Sequence, residues 1–272
     1  MSAVSRVAGA RRRGEGHAAR YQPCCDALFL PSSSQRLSGF VICDGAGGIA
    51  AVARSAQLSA QAGWRALLLL RRHLALPQRR PAQHRHHQLQ RRFLSAFWHG
   101  RRPGPIADHT LLACLWDRQR LLVAQVGDSS LLLRRQGRWQ LALPPAHGQY
   151  ANETTFLRPG TPTADLGLCW TPAQAVEAVI GFSDGVEAAF LSQSQQEPNA
   201  PLAELLIEAH RQHLGWRGYP AWLASSLADP ALAALSDNDR TLAPAARGRY
   251  SAASSAASQW PSSSAASWMG NG

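Results

Sequence analysis

Two apolar, β-prone runs about 140 residues apart both end abruptly in Asp-Gly. One is Phe40-Val41-Ile42-Cys43-Asp44-Gly45-Ala46-Gly47-Gly48, the other Val179-Ile180-Gly181-Phe182-Ser183-Asp184-Gly185-Val186. An apolar strand delivers a carboxylate to its end, and the glycine lets the backbone turn sharply and approach a ligand closely. Acidic residues are scarce, 17 Asp plus Glu against 28 basic residues. Two of them placed alike at strand ends suggest carboxylates converging on hard cations, which take oxygen ligands. Taken singly, each also reads as an ordinary strand exit, because Asp-Gly is a common turn pair.

Between and beyond these runs the pattern alternates in blocks. Residues 1–13 read as a loose arm. Ala27–Leu30 and Phe40–Cys43 read as strands, then Ala51–Leu70, rich in Ala and Leu and free of Pro, as a helix. Pro77 and Pro81 break it before a second helix over Gln88–Trp98. Thr110–Leu143 reads as a β-meander of four segments, punctuated by Asp117-Arg118, Gly127-Asp128 and Gln136-Gly137. A further strand over Ala175–Phe182, helices over Ala203–His213 and Ala221–Leu235, and a short strand over Arg240–Ala243 complete the pattern. From residue 245 the composition falls to Ala, Ser, Gly and isolated Trp, which predicts a disordered tail to residue 272. Hairpins between neighbouring strands point to α+β layers built on antiparallel sheets, not to βαβ units. No Gly-rich phosphate loop of Walker or dinucleotide type follows any strand.

Composition narrows the class. The 272 residues, 45% hydrophobic, suffice for one large domain or two small ones with a real core. The five cysteines (Cys24, Cys25, Cys43, Cys114, Cys169) form no Cys-x-x-Cys pair and no zinc-like spacing, which suits reduced thiols in a cytoplasmic protein. Neither the basic N-terminus nor Ala66–Leu70 is an apolar stretch of leader or membrane-spanning length, so a soluble protein is expected. Every positive charge counted in the net +11 is an Arg, with no Lys. From Gly45 to Ala107 there is no carboxylate at all, while Arg pairs stand at 71–72, 79–80, 91–92 and 101–102 among His73, His84, His86, His87 and His99. Such a stretch suits phosphate-bearing partners or a solvated helix face. Nucleic acid is the weaker reading.

The ordered motifs resemble the metal-dependent Ser/Thr protein phosphatases, the protein phosphatase 2C-like family, in particular its bacterial branch. The elements are Gly14-Glu15-Gly16-His17 with Pro23-Cys24-Cys25-Asp26-Ala27, Asp44-Gly45-Ala46-Gly47-Gly48, His109-Thr110-Leu111-Leu112 and Val126-Gly127-Asp128-Ser129. They continue with the stretch from His147 to Phe156 that includes Asn152-Glu153-Thr154, then Ser183-Asp184-Gly185 and Asn238-Asp239-Arg240-Thr241-Leu242. The resemblance covers residues 14–243 and implies one catalytic domain over 14–244. The implied architecture is a four-layer α-β-β-α sandwich with two central antiparallel sheets.

It further implies hydrolysis of phosphoserine or phosphothreonine in proteins with two Mg²⁺ or Mn²⁺ ions, a metal-bridged hydroxide attacking phosphorus in line. By resemblance Asp44 bridges both ions, the Gly45 carbonyl binds one, and Asp184 with the terminal element holds the other, Asp26 assisting. Asp128 is expected to fix its hairpin, and Asn152 and Glu153 to form a flap or a cap. The implied partners are a phosphorylated protein and a cognate Ser/Thr kinase; no membrane is implied, and a monomer is expected. Three positions depart from the family pattern. Cys25 replaces an oxygen-bearing side chain, Asn238 replaces an Asp with Asp239 or Asp237 nearby, and the upstream phosphate-gripping Arg has only Arg20 or Tyr21 as counterparts. These departures support a second reading, a catalytically weak or inactive module that binds a phosphoprotein or kinase.

Overall fold

The computed structural model describes residues 6–32, 37–75, 82–145, 154–192, 197–213 and 217–247. In chain order its elements are β1 (Arg6–Val7), β2 (Ala10–Arg12), α1 (Glu15–Ala19), β3 (Ala27–Phe29), β4 (Leu37–Cys43), α2 (Ala50–Leu74) and α3 (Ala82–Gly100). Then follow β5 (Leu111–Asp117), β6 (Arg120–Val126), β7 (Ser130–Arg135), β8 (Arg138–Leu141), β9 (Gly167–Pro172) and β10 (Ala178–Phe182). The last are α4 (Glu187–Phe190), α5 (Ala200–His213), α6 (Tyr219–Ser226), α7 (Pro230–Leu235) and β11 (Arg240–Ala246). One antiparallel sheet runs β3-β4-β5-β6-β9. The other runs β1-β11-β10-β7-β8, with β2 also paired to β11.

The strands are apolar on both faces because both faces are covered. On β4 and β5 successive side chains point opposite ways. Val41, Leu111, Ala113 and Leu115 pack under α2 and α3 against Leu67, Phe93 and Phe97. Phe40, Ile42, Leu112, Cys114 and Trp116 fill the layer between the sheets, facing Leu131, Leu133, Val179 and Ala243. The outer face of the second sheet buries Ile180, Phe182 and Leu242 against Leu206, Ile207 and Leu223 of α5 and α6. The result is the expected α-β-β-α order, with two antiparallel sheets flanked by helices. Among the described residues no helix is long and apolar enough to cross a membrane.

Several local expectations are corrected. Residues 6–12 are not a loose arm: Arg6 and Val7 pair with Ala246 and Ala245, and Ala10 to Arg12 pair with Leu242 to Arg240. Their Arg-rich sequence hides a short strand that buries only Ala8 and Ala10. The four-strand meander is divided between the sheets, since β6 pairs with β5 and β9 while β7 pairs with β10 and β8. Gly127, at φ +93, allows the crossing at the turn between them. The helix over 221–235 is two, because Asp229 caps a new start at Pro230. Ala245 and Ala246, placed in the tail, are buried in β11. β9, with its Cys, Trp and Pro, went unpredicted as an edge strand. The remainder of the tail lies outside the described residues.

Gly181 of β10 lies where the sheets come closest: a Cβ there would stand 2.3 Å from the Phe40 ring of the opposite sheet. Gly181→Ala is expected to destabilise the fold by about 1–3 kcal/mol, since neither sheet can withdraw without opening the layer. Chemical denaturation reads this directly, and an unchanged midpoint would contradict the packing described.

Candidate active site

Five acids at strand ends are brought to one end of the sheet-on-sheet layer by strand register. Ala27 of β3 opposes Cys43 of β4, so Asp26 and Asp44 are neighbours at adjoining strand ends. Asp184 follows β10, and Asp239 precedes β11, its hydrogen-bonded neighbour. Asp128 follows β6 in the turn that crosses between sheets. Together Asp44, Gly45, Asp128, Asp184, Asn238 and Asp239 line a cavity of ≈200 Å³, with His17, Thr110, Thr154 and Phe156 on its wall.

Each carboxylate is oriented by a specific donor. Asp26, fully buried, accepts from Ser183 Oγ at 2.8 Å and Thr241 Oγ1 at 2.6 Å, both on Oδ2. The main chain at Asp44 is fixed by Thr110, whose N–H donates to the Asp44 carbonyl at 2.8 Å and whose hydroxyl accepts the Asp44 N–H at 3.1 Å. Thr154 donates to Asp128 Oδ2 at 2.6 Å. Asn238 Nδ2 donates to Asp184 Oδ2 at 2.8 Å. The other oxygen of three of these acids, Oδ1 of Asp26, Asp128 and Asp184, is buried without a hydrogen-bond partner. Buried acceptors of this kind are costly unless something occupies the space they face.

The electrostatics agree. Burial first, then the charge of Asp239, pushes Asp26 up to about 7. Burial raises Asp44 well above the usual carboxylate range, with Asp26 and Asp184 adding repulsion. Asp184 is raised by burial and by Asp128. Glu187, one short turn beyond Asp184, is pushed up to about 7 by burial and then by Asp128 and Asp184. Crowded carboxyl oxygens without a neutralising Arg suit hard divalent cations. Among the described residues no three His, Cys, Asp or Glu side chains are drawn into a single ligand shell; the acids ring the cavity, tied back by the donors above.

Of the residues named from the sequence, Asp44, Gly45, Asp184, Asn238 and Asp239 line the cavity, while Asp26 lies fully buried behind it, held by Ser183 and Thr241. Asp239 is already engaged: its oxygens accept the N–H of Gly14 at 2.8 Å and of Cys25 at 2.5 Å, and His17 Nδ1 lies 3.0 Å from Oδ2. It thus ties the N-terminal segment to β11. Cys25 is buried with its sulfur toward the Pro23 and Ile49 carbonyls. Arg20 is exposed and Tyr21 is 94% exposed; neither lines the cavity. Asn152 and Glu153 lie outside the described residues. The sequence reading gave Asp128 to its hairpin alone and passed over His17 and Glu187. Asp128 carried the same signal as the other two, an apolar strand ending in an acid. Glu187 carried only an i, i+3 spacing from Asp184.

The family model described as protein phosphatase 2C matches residues 13–228, and the chain belongs to that family. Serine/threonine-protein phosphatase 3 of Escherichia coli (strain K12) is 28% identical over 138 residues, 49% of this chain and 53% of that protein. The chain thus spans about half the length of the curated relative it matches. Among solved structures, the catalytic domain of the serine/threonine phosphatase PstP in complex with two manganese ions aligns with a TM-score of 0.54 at 18% identity, covering 90% of this chain and 99% of that one. Staphylococcus aureus serine/threonine phosphatase Stp1 aligns at 0.54 and 16% identity over 89% and 95% of the two chains. These likenesses show the fold.

Without cations, the native state keeps protons on Asp26 and Glu187 up to about pH 7, whereas ordinary values are 3.8 and 4.5. The native state then binds more protons than the unfolded chain, so stability falls as pH rises through that window. Buried His109 and His210, held down to about 4, act oppositely, but their effect fades as pH rises past their ordinary 6.5. The thermal midpoint of EDTA-treated protein is therefore expected to drop between about pH 6.5 and about pH 8, and saturating Mn²⁺ to reduce the drop. A midpoint that stays flat or rises over that range would contradict this electrostatic picture.

Proposed function

We propose that this protein hydrolyses phosphoserine and phosphothreonine in proteins with two Mg²⁺ or Mn²⁺ ions. The observation that carries the reading is the cavity where Asp44, Asp128 and Asp184 converge with Asp26 beneath, three of these acids each holding an unpartnered buried oxygen. In a protein phosphatase 2C chain, Asp44 would contact both cations, with the Gly45 carbonyl on one. Asp184, Asn238 and Asp26 would hold the second, with Asp239 fixing the turn beside it. When bound, the ions would neutralise the phosphate dianion and lower the pKa of a water.

The chain's own residues set the geometry. Thr110 fixes the Asp44 turn through both its N–H and its hydroxyl. Ser183 and Thr241 clamp one Asp26 oxygen and leave the other facing its acidic neighbours. Asn238 occupies one oxygen of Asp184 and contributes a neutral carbonyl where a carboxylate would add charge. Ala46, beside Gly45, offers no proton, so water would protonate the leaving group. The substrate would be a phosphoprotein supplied by a cognate Ser/Thr kinase. A monomer acting in the cytoplasm suits the five free thiols.

Hydrolysis of para-nitrophenyl phosphate tests the reading. Turnover is expected with Mn²⁺, absent with EDTA, and reduced at least ~100-fold in Asp44→Asn and Asp184→Asn. Full activity in both variants would overturn it, and folded wild-type protein without turnover would favour a phosphoprotein-binding module instead.

Asn238→Asp is expected to tighten Mn²⁺ binding roughly tenfold, because a charged ligand replaces a neutral one and no longer donates to Asp184. Calorimetric titration measures this, and unchanged or weaker affinity would remove Asn238 from the cation site.

A further inference from the structure

A second concavity lies well away from the acidic cavity. It is a groove of ≈1010 Å³ between the C-terminal half of α2 and the outer face of α3. Its basic lining is His73, His84, His87, Arg91, Arg92 and His99, and among the described residues no carboxylate lines it. The α3 members recur every three or four residues and so share one face, opposite Leu89, Phe93 and Phe97, which are buried in the core. Leu69, 42% exposed, and the half-buried Ala96 supply an apolar floor over Leu70, which is buried in the core.

The charge of this groove is not neutralised by its own helices. Neither α2 nor α3 contains an acidic residue. Asp117, at the end of β5, is taken by Arg71 and by the N–H groups of Gln119 and Arg120. The 3₁₀ turn packed on α3, Thr163–Asp165, meets His87 through the Thr163 hydroxyl, and Asp165 does not line the groove. Arg92 reaches His73 at 2.8 Å, an imidazole whose pKa burial and then Arg92 lower, so this contact adds no negative charge. What would complement such a surface is negative and partly apolar. Nucleic acid fits less well: the groove presents only two permanently charged side chains, Arg91 and Arg92, for a binding mode dominated by phosphate contacts. A lipid surface is fitted by a convex face, not a groove.

We propose that the α2–α3 groove is a docking site for an acidic segment of a partner protein, carboxylates on Arg91 and Arg92 and interspersed aliphatic side chains on Leu69 and Ala96. From Ala50, beside the acidic cavity, to Leu69 the helix rises roughly 30 Å, so the groove is separate from the cavity and its occupancy does not depend on turnover.

Fluorescence anisotropy of a fluorescein-labelled, phosphate-free peptide of alternating Glu and Leu tests this with the full chain. Saturable binding is expected, weakened at least about tenfold by Arg91→Glu with Arg92→Glu. The thermal midpoint should be unchanged and para-nitrophenyl phosphate turnover should remain within about twofold of wild type, since neither Arg lines the acidic cavity. If charge reversal compromises folding, Arg91→Gln with Arg92→Gln is read in its place and should weaken binding in the same direction. Peptide binding indifferent to both pairs of substitutions overturns the proposal. So does tighter binding of a single-stranded oligonucleotide or of anionic phosphatidylserine vesicles through the same two Arg. Because anisotropy is read without catalysis, an inactive enzyme would leave this result standing.

Discussion

The repulsion among buried carboxylates at one end of the sheet-on-sheet layer is the constraint around which this fold is arranged. Asp26, Asp44 and Asp184 are raised by burial and by neighbouring carboxylates, Asp239 acting on Asp26, Asp26 and Asp184 on Asp44, and Asp128 on Asp184. Left unsupported, such a group would push the strand ends apart. The structure holds them with short polar side chains from neighbouring strand ends: Ser183 and Thr241 on Asp26, Thr110 on the Asp44 backbone, Thr154 on Asp128. Asp239 joins this end to the N-terminal segment through Gly14 and Cys25. Arg240, fully buried, pairs with Glu15 and donates to the carbonyls of Leu227 and Ser236, so the element that closes the site also anchors α1 and the helix preceding it.

How far this was legible in the sequence follows from what each residue owes to local and to distant context. Asp44 and Asp184 were legible because an apolar run ending in Asp-Gly states a strand, its end and a carboxylate within a few residues. The long helices were legible from composition alone. The division of the meander between two sheets was not, because β6 and β7 are joined by a short turn that looks like any hairpin. Only the positive φ of Gly127 and pairing with the distant β10 and β9 separate them. Likewise β1 and β2 are strands only because β11, more than 200 residues on, accepts them. Asp239 was legible as an acid near the site, yet its engagement with Gly14 and Cys25 is a long-range fact no local pattern contains.

Charge is segregated along this chain in a way that composition alone conceals. The net +11 is the sum of an acidic cavity and an Arg-rich exterior. On the proposed function, an anionic substrate would be attracted by the surrounding surface and repelled by the cavity until cations neutralise it. Such an arrangement would make cation loading a condition for entry of a phosphate as well as for its hydrolysis. The carboxylates that would bind the ions would otherwise exclude the substrate.

Helix α2 links the two surfaces mechanically. It begins next to the Asp44–Gly48 turn and ends at the basic groove, and its buried face is continuous from Val52 to Leu74. A helix packed along its whole length behaves as a rigid spacer, so the interval between cavity and groove is fixed at roughly 30 Å. An extended chain covers at most about 3.3–3.6 Å per residue, so a single substrate occupying both sites needs about nine or more residues between its phosphorylated side chain and its acidic segment. Shorter phosphopeptides would meet the cavity alone. A protein substrate with an acidic region at that spacing would gain effective concentration at the cavity without any change in the phosphate contacts. Selectivity among phosphoproteins would then arise from the helix pair, leaving the acidic cavity free to accept phosphate in many sequence settings.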